Sequence, residues 1–272
     1  MLKNKTILLS GACGSVGSAI ASLLAKRGAR LILLESSSEL SITLTQELTK
    51  LKAEYFVLLA DIATHLGRET IRTALLALKQ PLDAIVNCAD ANLFAFLADS
   101  DVKNIEELMS INVMQPILLT KISLPFLNPK SGRIVNIGST CGSVGFPGGS
   151  AYCASKFALH GFTEALRREL SDSDLQVGYL AVRTMQTYVA PATNGSTSNE
   201  LHSAMQKSNL VAIRLEKMLT EKHLGNYIVG WKERVLSRMN SLFPWIIDIK
   251  LRERLPIIRR NLEYIMPKTI CR

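Results

Sequence analysis

Tyr152 and Lys156 stand four residues apart in Tyr-Cys-Ala-Ser-Lys, a spacing that puts both side chains on one face of a helix. An ammonium beside a phenol favours the phenolate, and an opposite charge at close range lowers a tyrosine pKa of about 10 by roughly 1 to 3 pH units. Such a tyrosine can exchange a proton with an alcohol near neutral pH. Ser139 precedes the pair across a glycine-rich stretch, from where its hydroxyl could hydrogen-bond the same substrate oxygen. A Tyr and a Lys at this spacing are also commonplace on helices without chemistry, so the pair takes its meaning from what lies around it.

A second cluster lies near the N-terminus, in Ser10-Gly11-Ala12-Cys13-Gly14-Ser15-Val16-Gly17. Glycines between a strand and a helix let the backbone approach a pyrophosphate, and the helix start supplies N–H donors and a partial positive charge. The same glycines also serve tight packing alone. Glu35 follows Gly11 by 24 residues, near the spacing at which an acid meets the adenosine ribose hydroxyls. A carboxylate there repels a 2'-phosphate, and neither Gly14 nor Ser36 supplies a cation for one. NAD(H) is therefore favoured over NADP(H), unless Glu35 is only a polar residue starting a helix.

Apolar periodicity predicts the elements that must position these residues. Strands are expected at 5–10, 30–35, 55–60, 83–87, 132–138, 175–181 and 226–230, with helices at 16–27, 37–51, 66–78, 103–126 and 150–171 between them. Nearly unbroken apolar strands alternating with helices imply a parallel sheet covered on both faces, and right-handed crossovers make it doubly wound. The expected fold is α/β, Rossmann-like, with about seven strands and a C-terminal helical extension. Residues 184–209, rich in Thr, Ser and Asn with no charge before Glu200, read as a substrate lid or an idle loop. Residues 231–243 and 246–265 read as basic amphipathic helices broken at Pro244 and again at Pro256.

Composition narrows the classes. At 272 residues, 47% apolar and 20% charged, the chain is an ordinary globular protein, which excludes disorder, collagen and coiled coil. One domain over 1–230, followed by the extension at 231–272, uses the whole length. The five cysteines (Cys13, Cys88, Cys141, Cys153, Cys271) are scattered without a Cys-x-x-Cys pair. Neither a disulfide framework nor a metal site is suggested, and a reducing, cytoplasmic setting fits. The charge-free run from Thr6 to Ala25 after Lys3 and Lys5 imitates a signal peptide, but Ser10-Gly11 interrupts its apolar part after Ile7-Leu8-Leu9. Residues 214–272 hold 13 Lys and Arg against 6 Asp and Glu, so the net charge of +9 is mostly C-terminal. No nucleic-acid motif accompanies it, and no nucleic-acid partner is expected.

Taken together, five segments in order resemble the short-chain dehydrogenase/reductase family over roughly residues 4–230. They are the glycine loop, Asp61, Asn87-Cys88-Ala89-Asp90, Asn112 in Ile-Asn-Val, and Ser139 with Tyr152-x-x-x-Lys156. The resemblance implies Tyr152 as general acid/base, Lys156 lowering its pKa and binding the nicotinamide ribose, and Ser139 polarising the substrate oxygen. Asn112 would support a water extending the proton relay from Lys156. Cofactor contacts would come from Gly11, Ser15, Val16, Gly17 and Glu35, from Asp61 and Ile62 at the adenine, from Asn87 and Ala89 by the adenosine ribose, and from Thr187 at the carboxamide. Dimers and tetramers are common in the family, with helices 103–126 and 150–171 as the usual interface.

Three positions depart from the family pattern. Ser15 replaces the middle glycine of Gly-x-x-x-Gly-x-Gly, Asp90 stands where a small residue lies near the cofactor, and Val182-Arg183 replaces Pro-Gly. An oxidoreductase acting on a secondary alcohol or ketone is the first expectation. A non-catalytic nucleotide-binding or scaffold protein on the same fold is the alternative that the departures motivate. Trp231, Phe243, Pro244, Trp245, Ile246 and Ile247 among Lys and Arg resemble the tails of family members taking steroid-, retinol- or acyl-like substrates. Such helices suit a membrane interface through 231–265, or pack on the core or a partner subunit.

Overall fold

The computed structural model describes residues 2–36, 42–182 and 198–265. Seven parallel strands form one sheet: β1 (Thr6–Ser10), β2 (Arg30–Glu35), β3 (Tyr55–Leu59), β4 (Ala84–Asn87), β5 (Arg133–Ser139), β6 (Gln176–Val182) and β7 (Asn226–Ile228), in the order β3-β2-β1-β4-β5-β6-β7. Helices α1 (Ser15–Lys26), α2 (Ile42–Lys50), α3 (His65–Leu76), α4 (Val102–Met109), α5 (Gln115–Ser123), α6 (Ser150–Glu169) and α7 (Ser198–Met218) join them, and α8 (Trp231–Leu242) and α9 (Pro244–Ile265) follow β7.

Both sheet faces are covered, which is why the strands read as apolar runs rather than as alternating patterns. Alternate residues of one strand enter opposite cores. Ile7, Leu9, Leu31 and Leu33 pack with Ile20, Leu24, Leu44, Leu48 and Leu215 of α1, α2 and α7. Leu8, Ile32, Leu34 and Ile85 pack with Ile71, Leu75, Leu119 and Leu166 of α3, α5 and α6. Strand order reverses between β1 and β4, where a doubly wound sheet opens a crevice at its carboxyl edge. The register aligns Leu34, Ser10, Asn87, Asn136 and Tyr179 in one row just below that edge.

Two sequence expectations need correction. Helix α7 starts at Ser198, inside the segment 184–209 read as a loop. The polar composition of its first turns hid a helix that is anchored further on, where Val211, Ala212, Leu215 and Met218 are buried. Helix α9 runs through Pro256 without ending there. Proline removes one i to i−4 hydrogen bond, but Pro256 and Arg252 are both exposed, so water can take the orphaned carbonyl. Pro244 does separate α8 from α9, as the first residue of the latter. The helix expected over 103–126 is continuous, with a π turn at Ser110–Met114 between α4 and α5. No helix among the described residues is long and apolar enough to cross a membrane.

Candidate active site

The crevice between β1 and β4 is a cleft lined by Gly11, Glu35, Asp61, Ile62, Asn87 and Ala89 among others, so six of the expected cofactor residues come together. Gly11 sits at φ +73°, and a Cβ there would lie 2.5 Å from Ala89 Cα, so the turn admits only glycine. Gly14 caps α1 with no side-chain hydrogen bond, leaving the first N–H groups of Ser15, Val16 and Gly17 outside the intrahelical ladder. Ser15 is exposed at the first position of α1.

Glu35 ends β2, and its Oε1 accepts the N–H of Cys13 at 3.2 Å. Burial pushes its carboxyl above the ordinary range, against the lowering effect of the Cys13 and Ala12 N–H groups. Asp61 is exposed beyond β3, where Oδ1 accepts the Ala63 N–H at 3.0 Å. Asn87 ties β4 to its neighbours, donating to Thr120 Oγ1 at 3.1 Å and Asn136 Oδ1 at 2.7 Å. Its own Oδ1 is buried on the cleft without a protein partner, an acceptor positioned for a ligand hydroxyl. A glycine turn that a Cβ would close, uncapped helix N–H groups, a carboxylate at the end of β2 and an orphaned acceptor all fit a dinucleotide.

The catalytic candidates lie at the same sheet edge. Ser139 is the last residue of β5, buried, and its Oγ accepts the Cys141 N–H at 3.1 Å. Tyr152 and Lys156, in the first two turns of α6, are 0% and 1% exposed, with the ammonium 5.6 Å from the ring centroid. Asn112 lies in the π turn, a distortion that often marks functional positions. Its Oδ1 accepts the Ala91 N–H at 2.8 Å, while Nδ2 donates to Ala91 O at 2.9 Å and to Ser155 Oγ at 3.0 Å. Ser155 in turn donates to Tyr152 O at 2.7 Å, so Asn112 locks the segment after β4 onto α6.

Two residues enter the site in roles their sequence context did not reveal. Asp90 bridges Tyr152 and Lys156: Oδ1 lies 2.8 Å from Lys156 Nζ, and Oδ2 accepts the Tyr152 hydroxyl at 3.2 Å. Tyr179, on β6, accepts the Ser139 N–H with its hydroxyl, while His160 stacks on its ring. The only signal for Asp90 was the unusual carboxylate in Asn-Cys-Ala-Asp, and for Tyr179 there was none. One ring nitrogen of His160 meets Gly142 O at 3.1 Å and the other the Asn226 amide at 2.8 Å. Around Tyr152 the wall is apolar, built from Leu93, Phe94, Leu108, Ile258 and Leu262. Leu262 of α9 presses on Gly148, which has φ +73°. Thr187, Arg183 and Cys271 lie outside the described residues, and no cluster of metal-ligating side chains occurs among those described.

Comparison with known proteins converges on one family. Residues 5–197 match the profile described as short chain dehydrogenase. The Bacillus subtilis oxidoreductase YmfI is 29% identical over 84% of this chain and 95% of its own length. Hydroxysteroid 11-beta-dehydrogenase 1-like protein of Xenopus tropicalis is 33% identical over 62% of this chain and 60% of that protein. Among solved structures, a short-chain dehydrogenase/reductase from Burkholderia phymatum in complex with NAD superposes with a TM-score of 0.74 at 19% identity, covering 92% of this chain and 96% of that one. A metagenomic short-chain oxidoreductase in complex with NADP gives 0.71 at 23% identity, over 84% and 97%.

Proposed function

The chain belongs to the short-chain dehydrogenase family, and from that premise we propose that it transfers hydride between NAD(H) and a lipophilic secondary alcohol or ketone. One observation carries the reading: Tyr152 and Lys156 are buried together at the start of α6, and Asp90, which follows the cleft residues Asn87 and Ala89, reaches both of them. When bound, the nicotinamide supplies or accepts the hydride. Tyr152 exchanges a proton with the substrate oxygen, and the Ser139 hydroxyl hydrogen-bonds and polarises that oxygen. Lys156 holds the nicotinamide ribose and favours the phenolate when Tyr152 has lost its proton. Asn112 positions α6 against the Ala91 segment and, in this reading, supports a water that continues the proton relay from Lys156.

The preference for NAD(H) rests on Glu35, whose carboxylate already faces the glycine turn and would repel a 2'-phosphate. Lipophilic substrate character rests on the apolar wall around Tyr152 and on α8 and α9, which expose Trp231, Leu242, Phe243 and Trp245 among basic residues. That surface suits peripheral contact with an anionic membrane. Residues 231–272 act in this reading as an extension laid on the 1–230 domain. A homodimer or homotetramer through α4, α5 and α6 is the expected assembly, and Val102, Met114 and Phe157 are exposed for it.

Turnover of an alcohol and ketone panel with NADH or NAD, abolished by Tyr152→Phe while NADH still binds by calorimetry, is the expected result. Tighter NADH than NADPH binding, relaxed by Glu35→Ala, would support the cofactor choice. The scaffold reading draws on one observation, that the Lys156 ammonium is already paired with Asp90. Nucleotide binding with no turnover in any assay would select it.

A further inference from the structure

Asp90 stands where its family keeps a small residue, and here its carboxylate spans two buried groups of the proton machinery. Lys156 Nζ is 2.8 Å from one oxygen, and the Tyr152 hydroxyl donates to the other at 3.2 Å. Its side chain is 30% exposed and that of Lys156 is 1% exposed, while the Oδ1 that faces Lys156 is itself buried. The charges of Lys156 and Asp90 cancel. Loss of the Tyr152 proton would therefore place a phenolate against a carboxylate at hydrogen-bond distance, with the ammonium shared between them. A like charge that close disfavours the charged form.

Among the described residues, the other titratable groups around this cluster do not reverse that balance. Cys88, behind Asp90, has its thiol pushed up to about 12, by burial first and by Asp90 second. Tyr179 is held protonated chiefly by burial. Of the two cysteines flanking Ser139 and Tyr152, Cys141 is raised by its hydrogen bond to Cys153, and Cys153 is lowered to about 7 by the same bond. A Cys153 thiolate would add negative charge and oppose the phenolate further. From α4 and α9 the facing side chains are Leu108, Ile258 and Leu262, which carry none.

We propose that Asp90 is a positioning residue that keeps the proton on Tyr152, so that the site meets its substrate as a proton donor and favours carbonyl reduction. This rests on the oxidoreductase reading and assigns it a direction. In reduction, hydride from the reduced dinucleotide forms the new C–H bond as the carbonyl π bond breaks. The Tyr152 proton forms the O–H bond, and Tyr152 then recovers a proton from water. Oxidation needs the phenolate at the start, the state that Asp90 opposes. The same carboxylate must yield part of Lys156 when a ribose diol arrives.

The test needs no known substrate. Tyrosinate absorbance in the near ultraviolet is titrated against pH in wild type and Asp90→Asn, each corrected with its Tyr152→Phe counterpart so that only Tyr152 is seen. The Asp90→Asn midpoint is expected roughly 1 to 3 pH units lower. An equal or higher midpoint overturns the proposal. Because Asp90→Asn leaves a buried ammonium unpaired, Asp90→Gly, the small residue of the family pattern, is titrated in parallel with NADH present, where the same lowering is expected. With a panel of ketones and NADH, and of the corresponding alcohols and NAD, the ascending, acid-side limb of the oxidation profile should move to lower pH by the same amount in the variants. A lowered midpoint with no turnover in any variant would overturn the oxidoreductase reading while upholding the hold of Asp90 on the Tyr152 proton.

Discussion

The Tyr179 hydroxyl holds the backbone of Ser139 from both sides, accepting its N–H at 3.1 Å and donating to its carbonyl at 3.2 Å. The ring also fills the space above Gly138, where any Cβ would collide with it. Tyr179→Phe keeps the ring and removes both bonds, leaving buried polar groups on Ser139 unsatisfied. A loss of about 1 to 3 kcal/mol in urea denaturation is expected, with a fall in kcat as Ser139 loosens. Unchanged stability would show that the clamp carries no load.

Gly11→Ala forces a Cβ onto a residue at φ +73° and to within 2.6 Å of Ala89 N. Strain of this kind costs about 1 to 3 kcal/mol and here falls on the cleft. Affinity for NADH should drop at least about tenfold with the circular dichroism spectrum retained. Calorimetric titration decides it, and wild-type affinity would refute the assigned role of the turn.

Glu35 gives a pH dependence of defined sign. Burial raises its carboxyl pKa above the ordinary 4.5, so the folded protein binds that proton more tightly than the unfolded chain. The stability associated with this group is fully present below 4.5 and is lost as pH rises from there through the raised value. Glu35→Gln keeps an acceptor for Cys13 and removes the buried charge. Its melting temperature should exceed that of wild type by more at about pH 7 than at about pH 4. A difference independent of pH would contradict the assignment.

Periodicity made the sheet and the Tyr152–Lys156 face legible, because local spacing alone determines which side chains share a helix face. The parallel order and the crevice at Gly11 followed from apolar strands alternating with helices. Contacts between residues distant in sequence were not legible. Asp90 meets Lys156 only because β4 ends and α6 begins at one edge of the sheet, and Tyr179 meets Ser139 only through the β5–β6 register. The start of α7 was hidden because the sequence of its first turns is polar and shows little apolar periodicity. Pro256 misled because a proline on an exposed helix side interrupts one hydrogen bond without ending the helix.

Trp231 and Trp245, the two tryptophans of the chain, are 66% and 56% exposed on α8 and α9. Intrinsic fluorescence therefore reports that surface directly. Vesicles of phosphatidylserine and phosphatidylcholine should shift the emission to shorter wavelength, whereas phosphatidylcholine alone should not. Raising salt from about 0.1 M to about 1 M should reverse the shift as the screening length falls from about 10 Å to about 3 Å. Emission unmoved by anionic vesicles would count against membrane contact and in favour of packing on a partner subunit.

The wall around Tyr152 takes Leu93 and Phe94 from the segment after β4 and Ile258 and Leu262 from α9, so residues far apart in translation order close one site. Synthesis proceeds at about 5 to 20 residues per second from the N-terminus. The strands up to β6 can emerge and pair while α9 is still inside the ribosome. Until residue 262 is out, the Tyr152 phenol lacks part of its cover and stands closer to water. A nascent chain can thus pair its strands before the last part of the wall around Tyr152 arrives.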